Sequence, residues 1–278
     1  MDLTNVTTEP GGSSRPWWGT FAIPQGEVRY WRIGPLELWI GRQPNEWRLR
    51  HRTATGAASA LAPHLDVEMP ADRAHVAPET ESLERVGMGN DHDRVELRPA
   101  LADRPFITRP REPFTILPHQ EVELFVTSPL WVQVSVGNPP ALVREWPTHR
   151  PSDTWFGPTT RTGELCYAAR THCRRTLDEV PVRPHRAISL VRVRNPVDAP
   201  LVLERLAVPI PRLSLFAGAR GSLWTERLTL TRESAEDDLA NLDIGGSPPR
   251  VASAGSRVAG PRDPGTTGRI IRAFNAFF

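Results

Sequence analysis

At 278 residues the chain is long enough to bury a core without disulfide staples, and 29 prolines beside 39% hydrophobic residues favour many short strands over long helices. Its net charge is +2, and all 34 basic residues are arginine. Residues 244–278 hold Arg250, Arg257, Arg262, Arg269 and Arg272 against Asp263 alone, a net of +4 that leaves −2 on the other 243 residues, so no nucleic-acid partner is expected for the body.

The first residues are polar, with neither a basic region nor an apolar core, so the sequence gives no sign of a secretory leader. No run of 18 apolar residues suggests a membrane span. Two cysteines, Cys166 and Cys173, fit a reducing compartment. The expected location is cytoplasmic, with peripheral membrane association as a variant.

In chain order, residues 1–16 read as a disordered leader. Residues 17–52 read as a β-meander. Val28, Tyr30 and Arg32 alternate with Arg29, Trp31 and Ile33, and Gly34-Pro35 turns the chain. Leu36, Leu38 and Ile40 alternate with Glu37 and Trp39, and Gln43-Pro44-Asn45 makes the next turn. Trp47, Leu49 and His51 then alternate with Arg48, Arg50 and Arg52. Those three arginines face solvent or form a second contact for a partner. Residues 53–93 lose the period and read as an insertion or long loop, with short helices near Ala57–Leu61 and Glu79–Val86.

Strand signals resume over 94–244. Pro105–Thr108, Pro113–Leu117, Glu121–Thr127, Leu130–Gly137, Ala141–Trp146 and Glu164–Leu177 come first. Ala187–Asn195, Pro200–Pro209, Arg212–Phe216 and Ser222–Thr231 follow. Many short strands bounded by Pro, Gly or Asn predict an all-β, antiparallel β-sandwich, as one body or two packed β subdomains.

Residues 245–267 contain five Gly, four Pro and three Ser with no aromatic residue, the composition of a flexible linker. On a helical wheel Ile270, Ile271, Phe274, Phe277 and Phe278 of segment 268–278 share one face, with Arg269 and Arg272 outside it. This predicts a short C-terminal amphipathic helix. Three uses stay open: folding back on its own domain, docking on a protein partner or sister subunit, and lying on a membrane surface.

Chemistry-bearing residues give little. No nucleophile elbow, phosphate loop, dinucleotide fingerprint or zinc-protease motif is present, and no catalytic residue, metal or cofactor is assigned. Cys166 and Cys173, with His172 beside the second, read as structural cysteines rather than a metal pair. Asp91-His92-Asp93 reads as a solvated loop rather than a cation site. Asp153-Thr154-Trp155-Phe156-Gly157 reads as a dense turn beside Glu164. The nine tryptophans read as core, with exposed rings for sugar stacking as the alternative.

Several stretches together resemble a known family. They are Trp31-Arg32-Ile33-Gly34-Pro35-Leu36, Pro129-Leu130-Trp131-Val132 and Gly163-Glu164-Leu165-Cys166-Tyr167-Ala168, then Leu203-Glu204-Arg205-Leu206, Pro209-Ile210-Pro211-Arg212-Leu213-Ser214-Leu215 and Leu223-Trp224-Thr225. Their order over about residues 27–232 is similar to domain-of-unknown-function family 432 of archaea and bacteria. The resemblance implies a β-rich fold and no known chemistry. It also implies a link to small-conductance mechanosensitive channels, and so a membrane protein's soluble domain as partner.

The leading expectation is a non-enzymatic accessory protein that docks on a larger assembly through its β body and C-terminal segment. A carbohydrate- or small-ligand-binding sandwich is the alternative. A metal-dependent or Cys/His hydrolase using Cys166, His172, Asp153 or Glu164 is the second alternative.

Overall fold

The computed structural model describes residues 16–54, 83–88, 92–159, 161–169, 171–236, 238–253, 255–265 and 270–274, with the backbone alone for Leu65–Pro70 and Arg220. Among these residues the chain is all-β, with mostly antiparallel pairing and three single-turn 3-10 segments. Strands are numbered β1 to β23 in chain order.

The meander forms as its alternation predicts. β2 (Val28–Ile33), β3 (Leu36–Gln43) and β4 (Glu46–Thr53) pair as neighbours through two-residue turns. Gly34 and Asn45 take positive φ there, at 60° and 61°, a region open to Gly and tolerated by Asn. Trp31, Ile33, Leu38, Ile40, Trp47 and Leu49 point inward, each 0% exposed. Segment 53–93 is not merely a loop. β5 (Leu65–Pro70) and β6 (Glu84–Gly87) add to the two edges of the meander, giving the order β5-β2-β3-β4-β6. The helix expected over Glu79–Val86 is therefore replaced by a strand over its described part, because β4 offers Glu46–Leu49 as a ready template. The helix expected near Ala57–Leu61 lies outside the described residues.

A second sheet orders β1 (Gly19–Ala22), β7 (Arg94–Ala100), β11 (Trp131–Val136) and β12 (Ala141–Pro147). The largest sheet is built on β10 (Gln120–Pro129) and β15 (Arg186–Asn195), antiparallel over ten residue pairs from Gln120↔Asn195 to Pro129↔Arg186. β19 (Leu223–Thr225) and β20 (Leu228–Arg232) then run parallel to successive halves of β15. The run expected as one strand over Ser222–Thr231 is broken between them, where buried Glu226 turns its carboxylate to the Ser214 N–H at 2.6 Å. β18 (Leu215–Ala217) pairs with β19, and β21 (Leu239–Ile244) pairs with β20.

A third sheet orders β13 (Ser152–Phe156), β14 (Glu164–Ala168), β8 (Phe106–Thr108) and β17 (Leu206–Val208). Residues 153–156, read as part of a turn, are strand. The strand expected over Glu164–Leu177 ends at Ala168. β9 (Phe114–Ile116) and β16 (Leu201–Leu203) make a separate pair. The largest of three apolar clusters draws on every sheet, including Trp31, Val132, Leu124, Phe106 and Leu203.

The C-terminal region departs most from expectation. Instead of a free linker, residues 245–267 contain a 3-10 turn at Arg250–Ala252 and β22 (Arg257–Ala259), which pairs with β18. Arg262 fastens the next stretch. Its N–H donates to Pro211 O at 2.8 Å, its Nε to Leu101 O at 2.5 Å, and its guanidinium pairs with Glu145. Gly, Pro and Ser give this segment its turns, while backbone bonds and the Arg262 side chain hold it.

The expected amphipathic helix is replaced by β23 (Ile270–Arg272). It pairs antiparallel with β21 through Leu239↔Arg272, Ala240↔Ile271 and Asn241↔Ile270. The physical reason is backbone satisfaction. A helix of two or three turns is marginal in water, whereas an open strand edge supplies partners at once.

Candidate interaction surface

β23 is followed by contacts on its other side. Ala207 N–H donates to Ala273 O at 2.9 Å, and Leu206 and Phe274 form an isolated antiparallel bridge. Ala273 and Phe274 N–H both donate to Asp238 O, at 2.8 and 3.1 Å. The segment thus joins β21 of the largest sheet to β17 of the third. Phe274 is 1% exposed and Ala273 0%, both within the main core, and Ile271 packs against it. Arg272 pairs with Asp238. The C-terminal residues are a clasp between two sheets of their own body.

This sorts the expected docking residues. Ile271 and Phe274 are spent on the chain's own core, and Arg272 on Asp238. Ile270 alone of the described set stays largely exposed, at 53%. Arg269, Phe277 and Phe278 lie outside the described residues. A cavity of about 200 Å³ lies beside the clasp, lined by Asp103, Glu164, Arg212, Asp263, Ile271 and Arg272 among others.

The arginine strip on β4 is also engaged at home. Arg48 Nε donates to Glu46 at 2.6 Å, and Arg85 Nε donates to the other oxygen of that carboxylate at 2.7 Å. The two guanidiniums hold the Glu46 carboxyl below the usual range. Arg52 donates to Glu37 at 2.6 Å and lies 5.7 Å from the Trp39 ring centre. Tyr30 Oη donates to the same Glu37 at 2.9 Å, and Arg50 likewise has partners within the chain. The strip roofs Tyr30 and Trp39, which are 2% and 3% exposed.

Side chains with nucleophilic or metal-ligating potential are dispersed. Cys166 packs with Ile107, Phe156 and Ala207, while Cys173 lies in the main core. Burial pushes both thiols up, Cys166 further by nearby Glu164, and Cys173 to about 11. A thiol so placed is neither a ready nucleophile nor a ready metal ligand. His172 and Asp153 are exposed on separate strands and loops, and Asp153 pairs with Arg104 at 2.9 Å. Asp91 lies outside the described residues, and no cluster of three His, Cys, Asp or Glu suited to a metal forms among the described ones.

Seven of the nine tryptophans are buried. Only Trp18 and Trp155 are half-exposed, so the sugar-stacking alternative has no row of open rings among the described residues.

Trp155 sits in an arrangement that sequence reading missed. In the β13–β14 hairpin it is directly opposite Leu165, which is 45% exposed. Trp155 Nε1–H donates to Thr159 O at 2.8 Å, fixing the ring. The connecting loop fits tightly, since a Cβ on Gly157 would meet Thr162 O at 2.1 Å and one on Gly163 would meet Phe156 O at 2.5 Å. On the same hairpin face Asp153 pairs with Arg104, whose guanidinium stacks 5.2 Å from the Tyr167 ring centre. Tyr167 Oη donates to Asp103 at 2.9 Å, and burial with that bond raises the phenol above its ordinary range. An apolar pair is thus held rigidly beside an Arg/Asp rim. The signal in the sequence was the glycine spacing, Gly157 to Gly163, which marks a hairpin of closely packed strands.

A family model for a protein of unknown function, DUF432, matches residues 17–278. The chain belongs to the DUF432 family. The match reaches beyond the 27–232 expected from the motifs and takes in the clasp, as a structural part of the family's domain should be. No curated protein and no solved structure matches this DUF432 chain. No helix of the described residues is long and apolar enough to cross a membrane.

Proposed function

We propose that this DUF432 chain is a non-enzymatic interaction protein, a β-sandwich body that docks on a larger protein assembly through the face of its β13–β14 hairpin. The observation that carries the reading is the cross-strand Trp155–Leu165 pair, with Leu165 exposed and Trp155 half-exposed, its ring fixed by Thr159 O, beside Arg104 and Asp153. Tryptophan and arginine dominate binding energy at protein interfaces, and a preorganised ring loses little entropy on docking. Burial of both thiols counts against a cysteine nucleophile. The soluble domain of a membrane channel, implied by the sequence resemblance, is the partner class to include in the test.

The test is a paired affinity capture from detergent-solubilised extract of the source organism, with mass spectrometry. Wild-type protein is compared with a Trp155→Ala, Leu165→Asp double variant whose thermal midpoint and circular dichroism are checked first. The proposal expects a specific partner held by wild type and lost from the folded variant. Equal recovery of the same partners by both would overturn it.

A further inference from the structure

The third sheet has two edges of unlike kind. At β17 the clasp lies alongside, with Ala207 N–H bonded to Ala273 O at 2.9 Å. Beyond β13 no strand follows among the described residues. The direction of its backbone groups follows from β14. Tyr167 N–H donates to Pro105 O and Ala169 N–H to Ile107 O, both at 2.8 Å, so the odd-numbered residues of β14 turn their backbone toward β8. The even-numbered ones therefore face β13. With Thr154 opposite Cys166, the hairpin bonds fall on Ser152, Thr154 and Phe156. Asp153 and Trp155 turn their N–H and C=O groups to the open side. Pro151, just before the strand, has no N–H to offer, so the open ladder is short.

This edge is self-complementary. Two copies of β13 laid antiparallel about a two-fold axis through Thr154 bring Asp153 of each opposite Trp155 of the other. Both members of each pair present outward N–H and C=O groups, so the ladder closes without a mismatch. On one face Thr154 meets Thr154, a cross-strand pairing that stabilises sheets. On the other face the Trp155 ring of each copy comes beside Asp153 of its mate and the Arg104 guanidinium bound to it, which suits cation–π attraction. Arg104 at 2.9 Å and Arg150 at 3.8 Å offset the Asp153 charge, so the two carboxylates near the axis are compensated. A two-fold contact of this kind closes on itself and leaves no template for a third chain.

We propose that β13 is a dimerisation edge, pairing with β13 of a second copy of this chain and joining two four-stranded sheets into one. The pairing sets two Trp155–Leu165 faces side by side. It goes beyond the docking reading, because it uses the edge of the strand and not its face.

The test is sedimentation velocity of the full chain from micromolar to the highest soluble concentration. The mass should rise from monomer to dimer as concentration increases. Thr154→Arg places two guanidiniums directly opposite each other at the axis and keeps Trp155, Leu165 and the outward backbone groups. With its fold checked by circular dichroism, it should dimerise at least tenfold more weakly. A cross-link gives a second reading. Thr154→Cys is made in a Cys166→Ala chain, because Cys166 stands opposite position 154 within the hairpin. Antiparallel residues of a non-bonded pair have Cα atoms about 4.5 Å apart, within reach of a disulfide. Mild oxidation should therefore link copies at position 154 much faster than in a Leu165→Cys control of the same background. A wild type that stays monomeric throughout, a dimer undiminished in folded Thr154→Arg, or linkage no faster at 154 than at 165 would overturn the proposal. Affinity capture reads the face and sedimentation reads the edge, so either proposal can fail while the other stands.

Discussion

The N-terminal meander and the C-terminal clasp are both small β structures, yet they are held in opposite ways. β2, β3 and β4 are neighbours in sequence as in space, and each buries alternate side chains against the core. Its loops close over two residues, which costs little entropy. The clasp is three residues of strand with a phenylalanine behind them, and its partners lie far back at Leu239–Asn241, Leu206 and Ala207. One structure is written locally. The other exists only once the sheets it joins have formed.

That contrast orders the expected effects. Removing residues 270–278 strips Phe274, Ala273 and Ile271 from the core and opens β17 and β21. The loss should exceed about 5 kcal/mol, a large part of a domain's stability, and equilibrium urea unfolding should show a shifted or broadened transition. Gly34→Ala strikes the meander where it meets the rest of the fold. Gly34 has φ of 60°, and an added Cβ would lie 2.5 Å from the His185 ring. Left-handed strain with overpacking should cost about 2–4 kcal/mol, seen as a lower urea midpoint.

Arg272→Met breaks the ion pair with Asp238, whose side chains are 19% and 17% exposed. About 1–2 kcal/mol should go, and the loss should be smaller in high salt. Arg52→Ala should cost within about 1 kcal/mol, because its bond to Glu37 lies at the surface of a sheet held by packing. The smallest effect is at the thiols. With Cys173 pushed up to about 11 and Cys166 raised as well, alkylation of the native protein should stay slow through pH 9, whereas both react in denaturant. Fast native alkylation near pH 8.5, where a free thiol titrates, would contradict the burial.

What the sequence made legible follows the same line. Long runs with period two, such as Val28–Ile33 and Glu46–Thr53, announce themselves because alternation fixes which face meets the core. Three-residue strands carry too little pattern. Ile270, Ile271 and Phe274 share a helical arc, but they serve as one outward strand residue, one inward residue and a plug just past the strand. The break at Glu226 is set by the distant Ser214 N–H, which no local reading supplies. Segment 245–267 has linker composition yet is bound through its backbone and Arg262, so composition was a poor guide to order.

The candidate surface was less legible than the fold. Trp155 and Leu165 are ten residues apart and meet only through hairpin register. The arginine strip of β4 drew notice by its pattern, but its partners sit on neighbouring strands.

The central claim is that the C-terminal segment is part of the fold. Urea unfolding of Phe274→Ala beside wild type tests it most directly. Phe274 is 1% exposed and lies in the main core, so the account predicts a loss of about 3–5 kcal/mol. An unchanged unfolding midpoint would contradict it.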